Sequence, residues 1–436
     1  MSLFRMKTLF PKQKETKEFF EGRIRCGGNT LDSSSVGTGK TVVAVHLVKD
    51  LGRPFAVICP KAVVPAWERE CEAHGVTPLF VLNYEKLRGG KTKWLGKAGK
   101  KIMRWDLPEG TIILVDEIHK AKGPYTQNAQ LIVSLVQQDF TVHGMSATAA
   151  EDPTEMRPLG YALGLHSLNK PEGDLKSWFS WMMINGCYQD SWGGWKLSNK
   201  QKLVELNKQI YGVSGHKLTP KDFPDSFREN RVFVEPTQFS DWKKINKAYA
   251  DLGITPAIIE EFIELGSVSN SEHVLVNILK ARQLAESFKA PDLAEIAQDY
   301  INGGNSVVIF VNFSDTVDAL CSSLRCRKID GRQTAAERQL AIDRFQADED
   351  NCLVVNIAAG GTGLSLHDVN GNRPRISLIS PTFNAKDYLQ VLGRIHRNGA
   401  KTDALQKVLV SAGSIEETVM KSINVKTANM QALHGA

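Results

Sequence analysis

The segment Ser33–Thr41 contains three serines, two glycines, two threonines and a lysine, and it leads directly into the apolar run Val42–Val48. Glycines allow a loop to approach an anion closely, so that its backbone amides point at phosphate oxygens. Lys40 would reach the outer phosphates of a nucleotide, and the hydroxyl of Thr41 would ligate magnesium. An ordinary serine–glycine turn before a helix is the competing interpretation. The candidate phosphate-binding residues are Val36, Gly37, Thr38, Gly39, Lys40 and Thr41.

Two consecutive carboxylates, Asp116 and Glu117, follow the apolar, β-branched run Thr111–Val115. At the end of a strand, Asp116 would hold magnesium, usually through water, and Glu117 would orient and deprotonate an attacking water. Two surface carboxylates are the alternative, which the phosphate loop upstream makes less favourable. The two segments resemble the Walker A and Walker B motifs of nucleotide hydrolases, with Ser34 in place of the first Walker A glycine.

These candidate residues need sheets to position them. Short apolar runs alternate with helical patterns in two regions, residues 9–148 and 291–436. Runs that are apolar throughout are typical of parallel strands covered by helices on both faces, so the pattern predicts two doubly wound, parallel-sheet α/β lobes. The predicted strands are Phe55–Cys59, Thr111–Val115, Thr141–Met145, Ser306–Val311, Cys352–Ile357, Ile376–Ser380 and Lys407–Val410.

The region between the lobes has a different sequence pattern, with few strand signals and several helical patterns that contain tryptophans. We therefore expect a helical insertion with a linker, and domains at residues 1–150, 151–290 and 291–436. Half of the eight tryptophans are Trp178, Trp181, Trp192 and Trp195. This cluster is compatible with a small packed core or with a stacking platform for a displaced base, and packing is favoured.

The stretch from Lys86 to Arg104 contains eight basic residues and no acidic one. Its glycines indicate a loop. Such a loop could grip a phosphate backbone or could simply be solvated, and the sequence favours neither interpretation over the other.

The composition is that of a soluble globular protein of 436 residues, with 42% hydrophobic and 23% charged residues. A formal net charge of +6 is compatible with a polyanionic partner without requiring one. Seven scattered cysteines, none in a C-x-x-C pair, argue against a zinc site or a disulfide framework. Because neither a signal-peptide pattern nor a membrane-length apolar run is present, we expect a cytoplasmic protein.

Further motifs follow one another along the chain in the order found in superfamily-two helicases. Together they resemble the motif set of that superfamily, and in particular that of its Swi/Snf-type double-strand translocases. Leu9–Gln13 is similar to the Q motif, in which Gln13 would read the adenine edge. The other matches are motif Ia at Ile58–Lys61 and Trp67–Glu68, motif Ib at Asn83–Leu87, motif III at Ser146–Thr148, motif V at Ala359–Leu366 and motif VI at Gln390–Arg397.

The resemblance implies two RecA-like lobes that hydrolyse ATP with magnesium in the cleft between them. Arg394 and Arg397 of motif VI would lie one turn apart on a helix face and stabilise the departing γ-phosphate; a solvated basic face is the alternative for this pair taken alone. Gly363 of motif V would contact the nucleotide. The implied contacts with nucleic acid, favoured to be duplex DNA, are Lys61, Asn83, Lys86, Asn312, Phe313 and Thr362.

Parts of the middle region are similar to the annealing-helicase branch of the Swi/Snf-type group. The chain departs from that group at Gly393, where an acidic residue is usual, and at His216 and Lys217, which replace an arginine-rich segment. Without accessory domains, it resembles a minimal motor of the kind common in phages and mobile elements, and we expect a monomer that acts on DNA away from membranes. Two alternatives remain: a strand-separating helicase for branched DNA or RNA, and an ATP-gated DNA-binding scaffold with little turnover.

Overall fold

The computed structural model describes residues 8–90, 92–98, 102–168, 176–191, 193–265, 272–360 and 364–434. The chain forms two compact units. Unit 1 consists of Met1–Phe223 together with Ala428–Ala436, and unit 2 consists of Pro224–Thr427. Among the described helices, none combines the length and the apolar character that crossing a bilayer requires.

The strands of unit 1 form one large parallel sheet and two small hairpins. They are β1 (Thr30–Asp32), β2 (Phe55–Cys59), β3 (Val81–Asn83), β4 (Leu95–Ala98), β5 (Ile102–Trp105), β6 (Ile112–Asp116), β7 (Thr141–Met145), β8 (Cys187–Gln189), β9 (Trp195–Leu197) and β10 (Gly215–His216). The six-stranded sheet has the order β10-β1-β7-β6-β2-β3, and every pair in it is parallel. This confirms the predicted doubly wound fold for the first lobe.

Helices cover both faces of this sheet. The helices that belong to unit 1 are α1 (Pro11–Arg25), α2 (Lys40–Leu51), α3 (Val64–His74), α4 (Tyr84–Arg88), α5 (Gln127–Gln137), α6 (Arg157–Ala162), α7 (Trp178–Ile184) and α8 (Gln201–Ile210). The side chains of successive β6 residues point to opposite faces of the sheet, because side chains alternate along a strand. Ile112 and Leu114 pack with Phe20 and Leu47, whereas Ile113 packs in a separate core on the other face.

The middle region contributes more to the sheets than its sequence predicts. Residues 151–223 belong to unit 1, where β10 forms the edge strand beside β1, so the chain divides within the expected insertion. The prediction of few strands there missed this pairing because β10 is only two residues long and lacks an apolar run. Trp178 and Trp181 are buried in the core of unit 1 with their rings stacked at 5.6 Å, which supports packing as their role. Trp192 lies outside the described residues.

The basic stretch after Lys86 is not the loop that its glycines indicate. The strands β4 and β5 form an antiparallel hairpin, whose inward-facing Leu95, Met103 and Trp105 join the core of unit 1. Lys93 lies over the ring of Trp94, with its Nζ atom 4.4 Å from the ring centroid. The stretch therefore has a folded apolar side. Lys91, Lys100 and Lys101 fall outside the described residues.

Unit 2 is built on a second six-stranded parallel sheet. Its strands are β11 (Asn230–Thr237), β12 (Ser306–Val311), β13 (Arg327–Ile329), β14 (Cys352–Asn356), β15 (Arg375–Ile379) and β16 (Ala404–Ser411), in the order β11-β16-β15-β12-β14-β13. Its helices are α9 (Trp242–Ala250), α10 (Pro256–Leu265), α11 (Glu272–Asn302), α12 (Ser314–Leu324), α13 (Ala335–Gln346), α14 (Ile357–Gly360), α15 (Ala385–Leu392) and α16 (Ile415–His434), of which the last enters unit 1 at Ala428. Every residue of β12 and β14 is buried, and this explains why the sequence of each strand is a near-continuous apolar run.

One buried ion pair joins α11 to the start of α16 within unit 2. The Nζ atom of Lys289 donates to Glu416 Oε1 at 2.7 Å, and the two side chains are 1% and 5% exposed. The other carboxylate oxygen of Glu416 accepts the backbone N–H of Ser411 at 2.9 Å. Since each charge is removed from water, either group alone would be a buried charge without its counter-ion.

We expect Lys289→Met to destabilise unit 2 by about 3–5 kcal/mol, because it leaves the Glu416 carboxylate buried and unpaired. Lys244→Ala is the control, since the Lys244–Asp241 pair is exposed and such pairs contribute less than about 1 kcal/mol. Urea unfolding of both variants measures the free energies. Equal, small losses in the two variants would show that the buried pair is not a stabilising contact.

Candidate active site

The phosphate loop connects β1 to α2 in unit 1. Gly37 and Gly39 have φ angles of 84° and 92°, in the left-handed region that favours glycine. A Cβ atom at Gly39 would also lie 2.5 Å from Nε2 of Gln13, so a side chain there would displace the Gln13 amide. The helix begins at Lys40 without a side-chain cap, and the amides of a helix's first turn point toward the side from which an anion would bind. Val36, Gly37 and Thr38 lie in this loop and Thr41 in the first turn of α2, as the sequence predicts.

Ser34, which occupies the position of the first Walker A glycine, has a structural role that glycine could not fill. Its Oγ atom accepts the backbone N–H of Leu218 at 2.9 Å, and the backbone N–H of Ser35 donates to the Leu218 carbonyl at 2.8 Å. The ammonium of Lys40 donates to the carbonyl of Ser34 at 2.6 Å. The departure from the consensus therefore attaches the loop to the segment that follows β10.

Gln13 is buried against the same loop. Its Nε2 donates to the carbonyl of Thr38 at 2.7 Å, and its Oε1 accepts the backbone N–H of Phe10 at 2.9 Å. A primary amide has two N–H donors, so one remains for an adenine edge. Adenine recognition by Gln13 stays a prediction, while its contact with Thr38 supports the shape of the phosphate loop.

Asp116 lies half-buried at the carboxyl end of β6, and each of its carboxylate oxygens accepts a hydrogen bond. Its Oδ2 accepts the indole N–H of Trp67 at 2.9 Å, and its Oδ1 accepts the backbone N–H of Glu117 at 3.0 Å. The hydroxyl of Tyr84 donates to the backbone carbonyl of Asp116 at 2.8 Å. Burial, followed by the charge of Glu117, raises the pKa of Asp116 above its usual range. A nearby cation would compensate this unfavourable charge.

Glu117 is held in a strained backbone conformation, with a φ of 52° that non-glycine residues seldom adopt. Ser146, directly after β7, donates its hydroxyl to Glu117 Oε2 at 3.2 Å. The Nδ1 atom of His119 lies 2.9 Å from Ser146 Oγ and 3.2 Å from Glu117 Oε2. Motif II and motif III thus meet around one carboxylate, whose position is restrained by Ser146 and His119.

The oxygen donors at this site fit magnesium. Magnesium takes oxygen ligands and usually keeps several waters, with one or two carboxylates and the phosphates of a nucleotide. Thr41 supplies a hydroxyl and Asp116 a carboxylate, the two metal candidates that the sequence identifies. The nearby Cys59 does not compete as a ligand in its neutral form, because burial and the charge of Asp116 raise the pKa of its thiol. Among the described residues, no cluster of three or more His, Cys, Asp or Glu side chains could hold a metal.

The candidate nucleic-acid contacts of unit 1 lie at one edge of the sheet. Lys61 follows β2 and Lys86 lies in α4 after β3, and both side chains are exposed. Asn83 has a structural role, because its Oδ1 accepts the backbone N–H of Lys86 at 2.9 Å and caps α4. The two lysines are therefore the members of this set that present a charge to solvent.

Motif VI in unit 2 differs from its predicted form. We expected Arg394 and Arg397 on one helix face, but α15 ends at Leu392 with Gly393 as its C-cap, so that prediction was wrong. Past the helix, the backbone carbonyl of Arg394 accepts the N–H of Leu366, and Arg397 Nε donates to the Gly393 carbonyl at 3.1 Å. Burial and the charge of Arg394 lower the pKa of Arg397. Among the described residues, no carboxylate is paired with Arg397 in an ion pair, and an anion would relieve the repulsion between the two guanidinium groups.

The remaining candidates of unit 2 fall into two groups. Asn312 is tied to its own unit, because its Nδ2 donates to Glu286 at 2.6 Å and to the Pro381 carbonyl at 3.0 Å. Phe313 follows it and lies beside the guanidinium of Arg282. Thr362 and Gly363 of motif V lie outside the described residues.

A second cation near the phosphate loop was not among the predicted site residues. Lys217 follows β10, and its neighbour Leu218 is hydrogen-bonded to the loop. Burial, and then the charge of Lys40, lower the pKa of Lys217 to about 8. The pairing of β10 with β1 brings the segment that contains Lys217 to the phosphate loop, and no sequence pattern showed this.

The end of α16 also contacts the start of the phosphate loop within unit 1. The hydroxyl of Tyr211 donates to Ser33 Oγ at 2.6 Å and lies 2.6 Å from Nδ1 of His434. The Nε2 atom of buried His434 lies 2.8 Å from the carbonyl of Ala150, two residues after motif III. No spacing signal in the sequence identifies this contact, because its members are far apart in the chain.

Comparisons with known proteins find helicase relatives of this chain. The family model described as the helicase conserved C-terminal domain matches residues 291–399. A protein of Acanthamoeba polyphaga mimivirus named as an ATP-dependent RNA helicase is 32% identical over 433 residues, which cover 93% of this chain and 79% of that protein. The DNA repair and recombination protein RAD54-like of Drosophila willistoni is 29% identical over 489 residues, which cover 95% of this chain and 62% of that protein.

Among solved structures, the SWI2/SNF2 ATPase core of Sulfolobus solfataricus in complex with double-stranded DNA aligns with 99% of this chain and 97% of that chain. The sequence identity is 17% and the TM-score is 0.39. The chain spans about three fifths of the length of the RAD54-like relative.

We expect Glu117→Gln to reduce nucleotide hydrolysis by about 10²–10⁴-fold, because the amide cannot accept a proton from the attacking water. Binding of the magnesium–nucleotide complex should persist, since Glu117 is not one of the proposed ligands. Steady-state phosphate release and equilibrium nucleotide binding measure the two effects. The matched control is Glu109→Gln, an exposed carboxylate of the same unit that should change neither. Near-normal turnover in Glu117→Gln would remove this residue from the site.

Proposed function

Because this chain belongs to the superfamily-two helicases of the Swi/Snf type, which are ATP-hydrolysing enzymes, we propose that it is a DNA-dependent motor that steps along duplex DNA. The observation that carries the proposal is the arrangement of motifs I, II and III in unit 1. The phosphate loop follows β1, the acidic pair ends β6, and Ser146 follows the intervening β7. Groups for binding phosphate, holding a metal and activating water thus lie at the same edge of one sheet.

In the proposed reaction, each of these groups has one task. Thr41 and Asp116 would hold a magnesium ion, which would supply charge neutralisation for the phosphates. The ammonium of Lys40 exchanges its contact with the Ser34 carbonyl for the β- and γ-phosphates. Glu117 orients the attacking water and accepts its proton, while Ser146 and His119 keep the carboxylate in position.

Unit 2 supplies the remaining charge in this proposal. Arg394 and Arg397 act on the γ-phosphate of a nucleotide that is bound mainly by unit 1, so hydrolysis depends on both units. Two guanidinium groups that repel each other, with no carboxylate paired to Arg397 among the described residues, form a site in which a developing phosphate charge would be stabilised.

The proposed polymer is duplex DNA, contacted mainly through its phosphates. Lys61 and Lys86 are exposed at one sheet edge, and the folded β4–β5 hairpin carries further basic residues next to them in the sequence. The RAD54-like relative is named for DNA repair and recombination, which supports DNA. The mimivirus relative is named as an RNA helicase, so RNA is the competing substrate.

We expect duplex DNA to stimulate ATP hydrolysis more strongly than single-stranded DNA or duplex RNA of equal length. The measurement is steady-state phosphate release at saturating ATP, with each polymer titrated at one fixed salt concentration, because phosphate-dominated affinities depend steeply on salt. Stimulation by RNA alone would replace this proposal with an RNA helicase. Turnover that no polymer changes would contradict a nucleic-acid-dependent motor.

We expect Arg397→Ala to lower DNA-stimulated turnover by about a thousandfold or more while nucleotide binding weakens far less, since trans-acting arginines stabilise mainly the transition state. Arg397→Lys should restore little, because an ammonium lacks the planar donor geometry. Arg344→Ala is the control, as Arg344 is paired with Asp350 on the surface of unit 2. Near-normal stimulated turnover in Arg397→Ala would show that unit 2 contributes no catalytic charge.

A further inference from the structure

Trp67 makes a contact with the metal site that the proposed reaction does not use. Its indole N–H donates to Oδ2 of Asp116 at 2.9 Å, and its side chain is 1% exposed. Trp67 lies in α3, which follows the motif Ia turn after β2, whereas Asp116 ends β6. The two strands are neighbours in the sheet, and this places α3 over the end of β6.

The contact fixes a carboxylate in two directions. Oδ2 accepts from Trp67, and Oδ1 accepts from the backbone N–H of Glu117 at 3.0 Å. Each carboxylate oxygen can accept two hydrogen bonds, so one acceptor position on each oxygen remains for a metal ion or its bound water. Because both donors come from rigid elements, the plane of the carboxylate is set before a metal arrives.

Tyr84 restrains the same residue from another side. Its buried hydroxyl donates to the backbone carbonyl of Asp116 at 2.8 Å and lies 3.3 Å from that of Glu117. Tyr84 is the first residue of α4 in motif Ib, beside the exposed Lys86. Motifs Ia and Ib therefore each provide one buried aromatic donor to the residue that would hold magnesium.

We propose that Trp67 is a positioning residue that orients the Asp116 carboxylate for magnesium and thereby sets the affinity of unit 1 for the metal–nucleotide complex. This inference rests on the proposed ATPase site. Groups that hydrogen-bond a metal ligand from behind typically change metal affinity about 10–100-fold when they are removed. Trp67 also packs in the apolar core with Val63 and Cys71, so its packing has to be separated from its hydrogen bond in any test.

The test is Trp67→Phe, which keeps a buried aromatic ring and removes the indole donor. Trp105→Phe is a matched control, because Trp105 is also buried in unit 1 and its indole N–H also makes a 2.9 Å hydrogen bond, to Ser134 instead of to the metal site. Both variants lose volume and one hydrogen bond, and only one of them loses a contact with Asp116.

Manganese binding is the primary readout, measured by electron paramagnetic resonance with and without ADP. We expect Trp67→Phe to bind Mn²⁺ in the presence of ADP about 10–100-fold more weakly than the wild type, and Trp105→Phe to bind it normally. Thermal unfolding of both variants measures the loss of packing. The magnesium concentration for half-maximal ATPase activity should rise in Trp67→Phe alone.

Unchanged Mn²⁺ affinity in a folded Trp67→Phe variant, or an equal loss in Trp105→Phe, would overturn the proposal. If Trp67→Phe does not fold, replacement of Trp67 by 3-benzothienylalanine keeps the shape of the indole and removes only its N–H, and the same weakening is expected. Wild-type protein that binds Mn²⁺ and ADP without hydrolysing ATP would refute the proposed function and leave this inference standing. A wild-type ATPase whose metal affinity is insensitive to Trp67 would refute this inference alone.

Discussion

The half-buried carboxylate of Asp116, at the carboxyl end of β6, is the group around which the proposed site of unit 1 is arranged. Asp116 lies beside Glu117, and burial together with the neighbouring charge raises its pKa and makes its ionised form unfavourable. Two hydrogen-bond donors, the indole N–H of Trp67 and the backbone N–H of Glu117, stabilise the ionised carboxylate. A magnesium ion bound with a nucleotide would compensate the remaining charge, so the feature that disfavours the ionised carboxylate also favours binding of a cation.

The helices that follow β2 and β3 begin at the same edge of the sheet as Asp116 and contact this residue. The motif Ia helix and the motif Ib helix contact Asp116 through Trp67 and Tyr84, while the exposed Lys61 and Lys86 lie on the same two connections. Groups proposed to meet DNA and groups that hold the metal ligand are thus only a few residues apart. This proximity provides a short physical route by which nucleic-acid binding could act on the metal site of unit 1.

The sequence predicted the parts of the fold that depend on local pattern. The strands Phe55–Cys59, Thr141–Met145 and Ser306–Val311 were predicted at those bounds, and the structure has each of them there with every residue buried. It could not predict β10, since two residues carry no periodicity, nor the end of α15 at Leu392, where Gly393 terminates a pattern that otherwise reads as helical. The indole contact to Asp116 was also hidden, because motif Ia identifies Trp67 without showing which residue its N–H faces.

A crystal structure with Mn²⁺ and ADP–beryllium fluoride, in which anomalous scattering locates the metal, tests the proposed site most directly. We expect the manganese peak beside the Thr41 hydroxyl and the Asp116 carboxylate, bound directly or through one water, with the phosphates on residues 36–41. The Trp67 indole should still donate to Asp116, and Glu117 should face the γ-phosphate position without binding the metal. A metal bound elsewhere, or phosphates held away from the loop, would contradict the assignment of unit 1 as the nucleotide site.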